Sequence, residues 1–416
     1  MKTICLSLLI LAGTIVGVRS EDYRKDINPA LRYYQGFALS ENTGRAGRDY
    51  LLTNEWRGVV LGQKFGDALG SYKHQFRLMR AAAHAKVPCD WGLDLTEGPD
   101  LLLGHLVQVK VAANVGRLRA MWELQNGKQD EALDDLLATY TLARNVSTDG
   151  TLISVLVQFA SENIVLDAVA ENFYQFTPET LKQLEEGIEA APPRGTVAQA
   201  MNKGERTLGT WFVRVVQDAQ KQHPGDEAGA MASIRVTMQN LFSSEGGGAQ
   251  VDRILKAAGG TSDGLLKLVA DVSPMYDRAA AIMALPPTEY AAQIGAYTND
   301  VHNSTNPLIS ELFPALSNSR PKEFASLVKT AMVHAAVEYK LHGDAGFKSV
   351  MDPMGKGPFT MERFVFEGVD RGFQVKSSYA GQGWPVRMIF VEKAGTPFLV
   401  YGKHAGEAAP KPTVKE

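Results

Sequence analysis

Apolar residues recur at spacings of three and four through most of the chain, and this helical periodicity is the strongest constraint on its fold. The pattern opens at Asn28-Pro29, an N-cap followed by proline in the first turn, and continues with interruptions to Leu341. The interruptions are rich in Gly and Pro, as at 191–195 and 286–287. The sequence therefore predicts a mainly α-helical protein whose helices pack against one another.

Two neighbouring helices are predicted to form a hairpin. They cover 101–125 and 130–143, and Asn126-Gly127 ends the first as a C-cap. Gly127, Ala132 and Leu136 resemble half of a tetratricopeptide repeat (TPR), but the pattern does not recur at the 34-residue period of such repeats. We therefore predict antiparallel, TPR-like helical hairpins without a repeat array. Other helical stretches are predicted at 28–39, 45–86, 148–173 and 178–190.

The character of the sequence changes near Gly343. Short segments rich in Phe, Val and Ile follow at 361–367, 372–379, 386–392 and 397–402. Turn-like sequences at 369–372 and 393–396 separate members of this set, so we predict a small antiparallel β-meander. The polar segment 405–416 is predicted to be disordered.

The first twenty residues are typical of a secretory signal. Lys2 precedes a short apolar run, and Val18 and Ser20 are small enough for a cleavage site, so we expect an exported mature chain that begins at Glu21. No later segment is expected to span a membrane. The predicted organisation is a signal peptide at 1–20, a helical domain at 21–190, a second helical region at 196–343, a meander at 344–404 and a tail at 405–416.

Charge and cysteine content exclude two classes. The formal charge is −3, and it becomes −5 on removal of Lys2 and Arg19, so the chain lacks the basic surplus of a nucleic-acid binder. Only Cys5 and Cys89 occur, and Cys5 lies in the signal. The mature chain therefore cannot form an internal disulfide, and Cys89 is predicted to be a buried, inert thiol.

Two serine motifs are candidates for nucleophilic catalysis. Ser262 lies in a G-x-S-x-G sequence, which in hydrolases needs a strand before the serine. The preceding residues are helical in pattern, which favours a turn with Ser262 or Asp263 capping the next helix. Ser326 and Lys329 match S-x-x-K, in which a lysine assists attack by the serine. The Ser-x-Asn that should follow lies upstream instead, at Ser161, so both motifs favour a structural interpretation.

One helix carries a metal-ligand candidate. His334, Glu338 and His342 are four residues apart and share a face, and two imidazoles and a carboxylate suit zinc. The H-E-x-x-H order of zinc peptidases is absent. A polar edge beside the apolar face is favoured, and no cofactor is predicted.

The loop 89–100 concentrates further polar groups. Cys89, Asp90, Trp91 and Asp94 are candidates for a small-ligand site, with the indole as a lip. The favoured alternative is structural, with Trp91 and Cys89 in the core and Asp90 capping a helix.

Two stretches resemble known families. The sequence from Asn28-Pro29 through Cys89-Asp90-Trp91-Gly92 and Gly98-Pro99 to Leu152-Ile153 is similar to a family of uncharacterised exported proteins of planctomycete-type bacteria. The order Asp352-Pro353-Met354-Gly355 and then Gly372-Phe373 resembles the globular half of type II secretion pseudopilins. The second resemblance implies a helix followed by a meander. The chain lacks a prepilin leader, and 378–383 does not match the calcium loop of pseudopilins.

These observations lead to one functional expectation and two alternatives. We expect a non-enzymatic exported protein that presents helical surfaces to a protein partner. The first alternative is a hydrolase using Ser262 or Ser326, or a metal-dependent enzyme using His334 and His342. The second is a small-ligand binder at the Trp91 loop.

Overall fold

The fold is mainly helical and ends in a three-stranded sheet, as the sequence predicts. The computed structural model describes residues 23–41, 44–203, 206–241, 247–313, 318–381 and 384–395. The signal, the fourth predicted strand and the tail lie outside these residues. The helices are α1 (Pro29–Glu41), α2 (Arg45–Thr53), α3 (Gln63–Gly70), α4 (Lys73–Ala83), α5 (Gly104–Gln125), α6 (Gln129–Val146), α7 (Leu152–Glu171), α8 (Pro178–Glu189), α9 (Val197–Lys203), α10 (Arg206–Gln222), α11 (Glu227–Leu241), α12 (Gly247–Ala257), α13 (Ser262–Ala270), α14 (Ser273–Met283), α15 (Pro287–His302), α16 (Pro307–Leu312) and α17 (Ser319–Ser349).

The predicted hairpin is formed by α5 and α6. Gly127, with a φ of +73°, lies in the short connection and allows the left-handed turn that ends α5. The next two helices begin at threonine N-caps, as Thr151 accepts from the Ser154 N–H and Thr177 from the Thr180 N–H. Helices α5, α6 and α7 all pack on one another and form a three-helix unit.

The predicted stretch 45–86 is not one helix. It divides into α2, α3 and α4, separated at 54–62 and 71–72. Glycines recur every fourth residue from 58 to 70, and two of them mark a break and a close approach. Gly58 has a φ of +69°, while a Cβ on Gly66 would lie 2.4 Å from the Trp122 ring of α5.

Three hydrophobic cores organise the chain. The amino-terminal core is formed by α1 to α5 with one side of α6, and the central core by α5 to α8, α17 and the sheet. The distal core is formed by α9 to α16 with the beginnings of α7 and α17. The two helices α7 and α17 therefore join the distal core to the central core.

Helix α7 corrects one expectation. By length and apolarity it could cross a membrane, contrary to the prediction that no later segment could. In the fold it is a core helix, and 61% of its most apolar window is buried. A fully buried carboxylate, Glu162, lies near its middle.

The sheet is an antiparallel meander of β1 (Thr360–Phe366), β2 (Val369–Gly381) and β3 (Trp384–Val391), in that order. Its inner face packs on α7 and α17, where Phe373 and Phe390 stack at 5.2 Å and Phe173 meets both edge-on.

The predicted turn at 369–372 is wrong, because these residues belong to β2. The two-residue turn is Glu367-Gly368, both with positive φ, as a tight hairpin requires. Gly372 lies within the strand, where a Cβ would lie 2.1 Å from the Phe390 carbonyl oxygen. Glycine serves here for a close backbone approach and not for a turn.

Candidate functional site

The Trp91 side chain, predicted as a candidate ligand lip, is packed into the amino-terminal core. Trp91 stacks on Tyr33 and His105, with ring centroids 5.6 and 4.6 Å apart, and meets Tyr34 edge-on at 5.5 Å. Its Nε1 donates to the Asn145 carbonyl oxygen at 2.8 Å. Protein atoms therefore contact both faces of the indole and satisfy its polar group.

The other three residues of this loop do not converge. Cys89 is buried, and burial raises the pKa of its thiol to about 12. The carboxylate of Asp90 accepts from the Gly92 N–H at 2.9 Å and does not cap a helix, which corrects that prediction. Asp94 is exposed and accepts from the Thr96 N–H at 2.9 Å, at the start of a short 3-10 turn. Both carboxylates stabilise their own loop.

Ser262 is the first residue of α13 and follows a helix, not a strand. It is fully buried, and its hydroxyl lies 3.8 Å from Met231 Sδ. The N-cap of α13 is Thr261 rather than Ser262 or Asp263. The strained strand-to-helix turn of a hydrolase nucleophile is absent at this position.

Ser326 and Lys329 face different partners. The Ser326 hydroxyl donates to Glu162 Oε2 at 3.0 Å, and the Lys329 ammonium donates to Asp167 Oδ1 at 3.0 Å. The lysine does not accept the serine proton in this arrangement, so the S-x-x-K spacing brings no nucleophile and base together.

The predicted metal ligands also separate. His342 Nδ1 lies 2.8 Å from Glu338 Oε2, whereas His334 contacts Glu185 on α8. In the part of the chain that the structure describes, no three His, Cys, Asp or Glu side chains group closely enough to hold a metal ion.

A buried charged centre lies where α6, α7 and α17 meet the loop after α8. Glu162 is fully buried, and Arg144 Nε lies 2.6 Å from its Oε1. Arg194 contacts Oε2 through Nη2, which also lies 3.3 Å from Ser326 Oγ and 3.4 Å from Thr330 Oγ1. Two guanidinium groups therefore share one carboxylate in a largely dry environment.

The loop that carries Arg194 is fixed by close packing. The Gly195 N–H donates to Gln158 Oε1 at 2.9 Å, and the same oxygen accepts from Ser147 Oγ. A Cβ on Gly195 would lie 2.5 Å from Ser147 Oγ, so a larger residue would displace the loop. This packing fixes the position of Arg194 beside α7 and α17.

The charged centre adjoins a groove of about 380 Å³ between α8 and α17, within the usual range for ligand sites. Its walls are mostly aliphatic. The apolar lining residues are Leu184, Ile188, Leu327, Ala331, Val333, Val337 and Pro353. Arg144, Arg194 and Thr330 supply polar groups, and the Glu185–His334 pair and the exposed Glu189 lie on its sides. We call this feature the α8–α17 groove.

The arrangement suits binding better than chemistry. An apolar ligand gains about 25 cal/mol for each Å² of apolar surface that it removes from water. At the charged end of the groove, Arg144 and Arg194 already contact Glu162, and Thr330 Oγ1 donates to the Ser326 carbonyl oxygen at 3.0 Å. The groove can thus hold an apolar group and orient a polar one.

Sequence reasoning missed Arg144, Glu162 and Arg194. One signal was present, because Glu162 is the only acidic residue between Leu152 and Val165 in a highly apolar stretch. A carboxylate on a buried helix face needs a cationic partner. Its partners could not be identified from sequence, since they lie 18 and 32 residues away on other elements.

Comparison of the chain with protein-family models, with curated proteins and with solved structures gives no match.

Proposed function

We propose that this chain is a non-enzymatic exported protein that binds a short apolar segment of a partner protein in the α8–α17 groove. The observation that carries the proposal is the groove itself, with aliphatic walls from two antiparallel helices and charged groups at its margin. Grooves of this kind accept apolar side chains presented by a peptide.

The environment of the candidate nucleophiles supports a binding role over hydrolysis. The Ser326 hydroxyl already donates to a carboxylate, and the Ser262 hydroxyl faces a thioether. Both serines are fully buried, whereas the nucleophile of a hydrolase must be open to substrate.

Peptide binding to the full chain tests the proposal. The probe is a pool of synthetic decapeptides with apolar residues at the last three positions, in one version with a free carboxyl terminus and in another with an amidated one. Ala331 lines the groove, so Ala331→Trp should fill it and weaken binding of either version at least tenfold.

The matched control is Ala345→Trp, the same change at an exposed position of α17 beyond its break at Gly343, which should bind as the wild type does. If the wild type binds neither pool, or if both variants bind equally well, the proposal fails.

Export rests on the predicted signal and has its own test. Amino-terminal sequencing of the protein recovered from the cells that make it should begin at Glu21. A mature protein that retains Met1 would contradict this part of the proposal.

A further inference from the structure

The two arginines lie at one end of the α8–α17 groove. At one end of α8, Lys340 Nζ donates to the Phe176 carbonyl oxygen at 2.7 Å, just before the helix begins. Beyond its other end, Arg194 Nη2 lies 3.4 Å from Thr330 Oγ1. Helix α17 therefore runs antiparallel to α8, and the guanidinium groups lie where the chain leaves α8.

The charge at this end is unbalanced. The Arg144 and Arg194 side chains are 13% and 10% exposed, and they share the single carboxylate of Glu162. The neighbouring Arg320 and Glu323 pair with each other. One buried positive charge therefore remains without a close counter-ion among the described residues, and a buried cation without a partner is unfavourable.

Arg194 also has unused donors. Its Nε and Nη1 atoms are buried and donate no hydrogen bond to the described protein. Buried polar groups are nearly always satisfied, so these two donors are available to a further acceptor. Arg194 lines the groove, so a ligand there can accept a hydrogen bond from its Nη1.

We propose that the occupant of the groove is the carboxyl-terminal segment of the partner protein, with its last apolar side chains between α8 and α17 and its terminal carboxylate on Arg194. The inference rests on the proposed function and specifies its ligand. A peptide whose last residue lies at the arginines does not have to continue past this end of the groove. Its terminal carboxylate supplies the missing negative charge. A guanidinium donates strong, charge-assisted hydrogen bonds to a carboxylate, and the unpartnered Nη1 of Arg194 can supply one while Nη2 stays on Glu162.

The acidic residues at the groove do not oppose this arrangement. Glu185 is engaged by His334, and Glu189 is exposed at the rim, where solvent screens its charge.

The two peptide pools test the inference. The free-carboxylate pool should bind the wild-type chain ten- to a hundredfold more tightly than the amidated pool, as expected for a charge-assisted hydrogen-bonded pair. In Arg194→Gln the two pools should bind alike. Arg253→Gln, at a surface ion pair of α12, should retain the difference.

Each other outcome has a defined meaning. If both pools bind the wild type equally and Ala331→Trp still abolishes binding, the carboxylate inference fails and the proposed function stands. If neither pool binds, the proposed function fails as well. An amidated pool with an internal Asp that binds as tightly as the free pool, or decanoate that binds more tightly than any peptide, would also overturn the inference. Binding of the free-carboxylate pool and of the amidated pool is compared on the wild type, so this comparison holds even if Arg194→Gln does not fold.

Discussion

The central and distal cores both bury apolar helices, but they place their charges differently. In the central part, Glu162 is fully buried between Arg144 and Arg194. In the distal part, the ion pairs at 206–313 involve exposed side chains, as in Arg235–Asp252 and Arg278–Asp300. The distal core is therefore held mainly by apolar packing, whereas the central core also depends on specific polar contacts. The candidate site lies where the buried charges are.

The first prediction concerns the thiol in the amino-terminal core. Because burial raises the pKa of Cys89 to about 12, about a thousandfold less thiolate is present than for a thiol of pKa 9. Alkylation of the native chain by iodoacetamide at pH 8 should therefore be slower by about that factor than in urea. Fast labelling of the native protein would mean that the amino-terminal core opens readily.

The next prediction tests the buried charged centre. Glu162→Gln leaves two buried guanidiniums without a counter-ion, so the free energy of unfolding should fall by about 3–5 kcal/mol. Urea denaturation measures the change. The matched control is Asp252→Asn in the distal part, which breaks an exposed pair and should cost less than about 1 kcal/mol. Equal losses in the two variants would remove the contrast between the regions.

The distal core should respond to lost volume. Ile254 is fully buried, and Ile254→Ala should destabilise the chain by about 2–5 kcal/mol in the same assay. Val236, which is 58% exposed on α11, offers the control. Val236→Ala should change stability by less than about 0.5 kcal/mol, and a larger loss there would show that this surface is covered in solution.

The smallest effect is expected at the end of α5. Gly127→Ala places a Cβ at a φ of +73° and should cost about 1 kcal/mol, although no atom lies within 4 Å of that position. Gly104→Ala, in the first turn of the same helix and equally open, should be neutral or stabilising. Thermal melts of the two variants separate the cost of a Cβ at positive φ from other effects of the substitution. Equal melting temperatures would contradict this cost.

Much of the fold could be predicted because its signals are local. Asn126-Gly127 and Thr177-Pro178 mark helix ends through their own backbone geometry. The role of Gly372 could not be predicted, since it depends on Phe390 of a neighbouring strand. The candidate site could not be predicted from sequence for the same reason. Its groups come from distant elements, and Ser326 lies 164 residues from Glu162.

Methyl NMR of the full chain tests the central claim most directly. The methyl groups of Leu184, Ile188, Leu327 and Val337 line the groove, whereas those of Ile254 and Leu265 lie in the distal core. On titration with the free-carboxylate peptide pool, we expect chemical-shift changes concentrated in the groove methyls and little change in the distal ones. Changes confined to the distal core, or no change at any methyl, would contradict the assignment of the α8–α17 groove as the binding site.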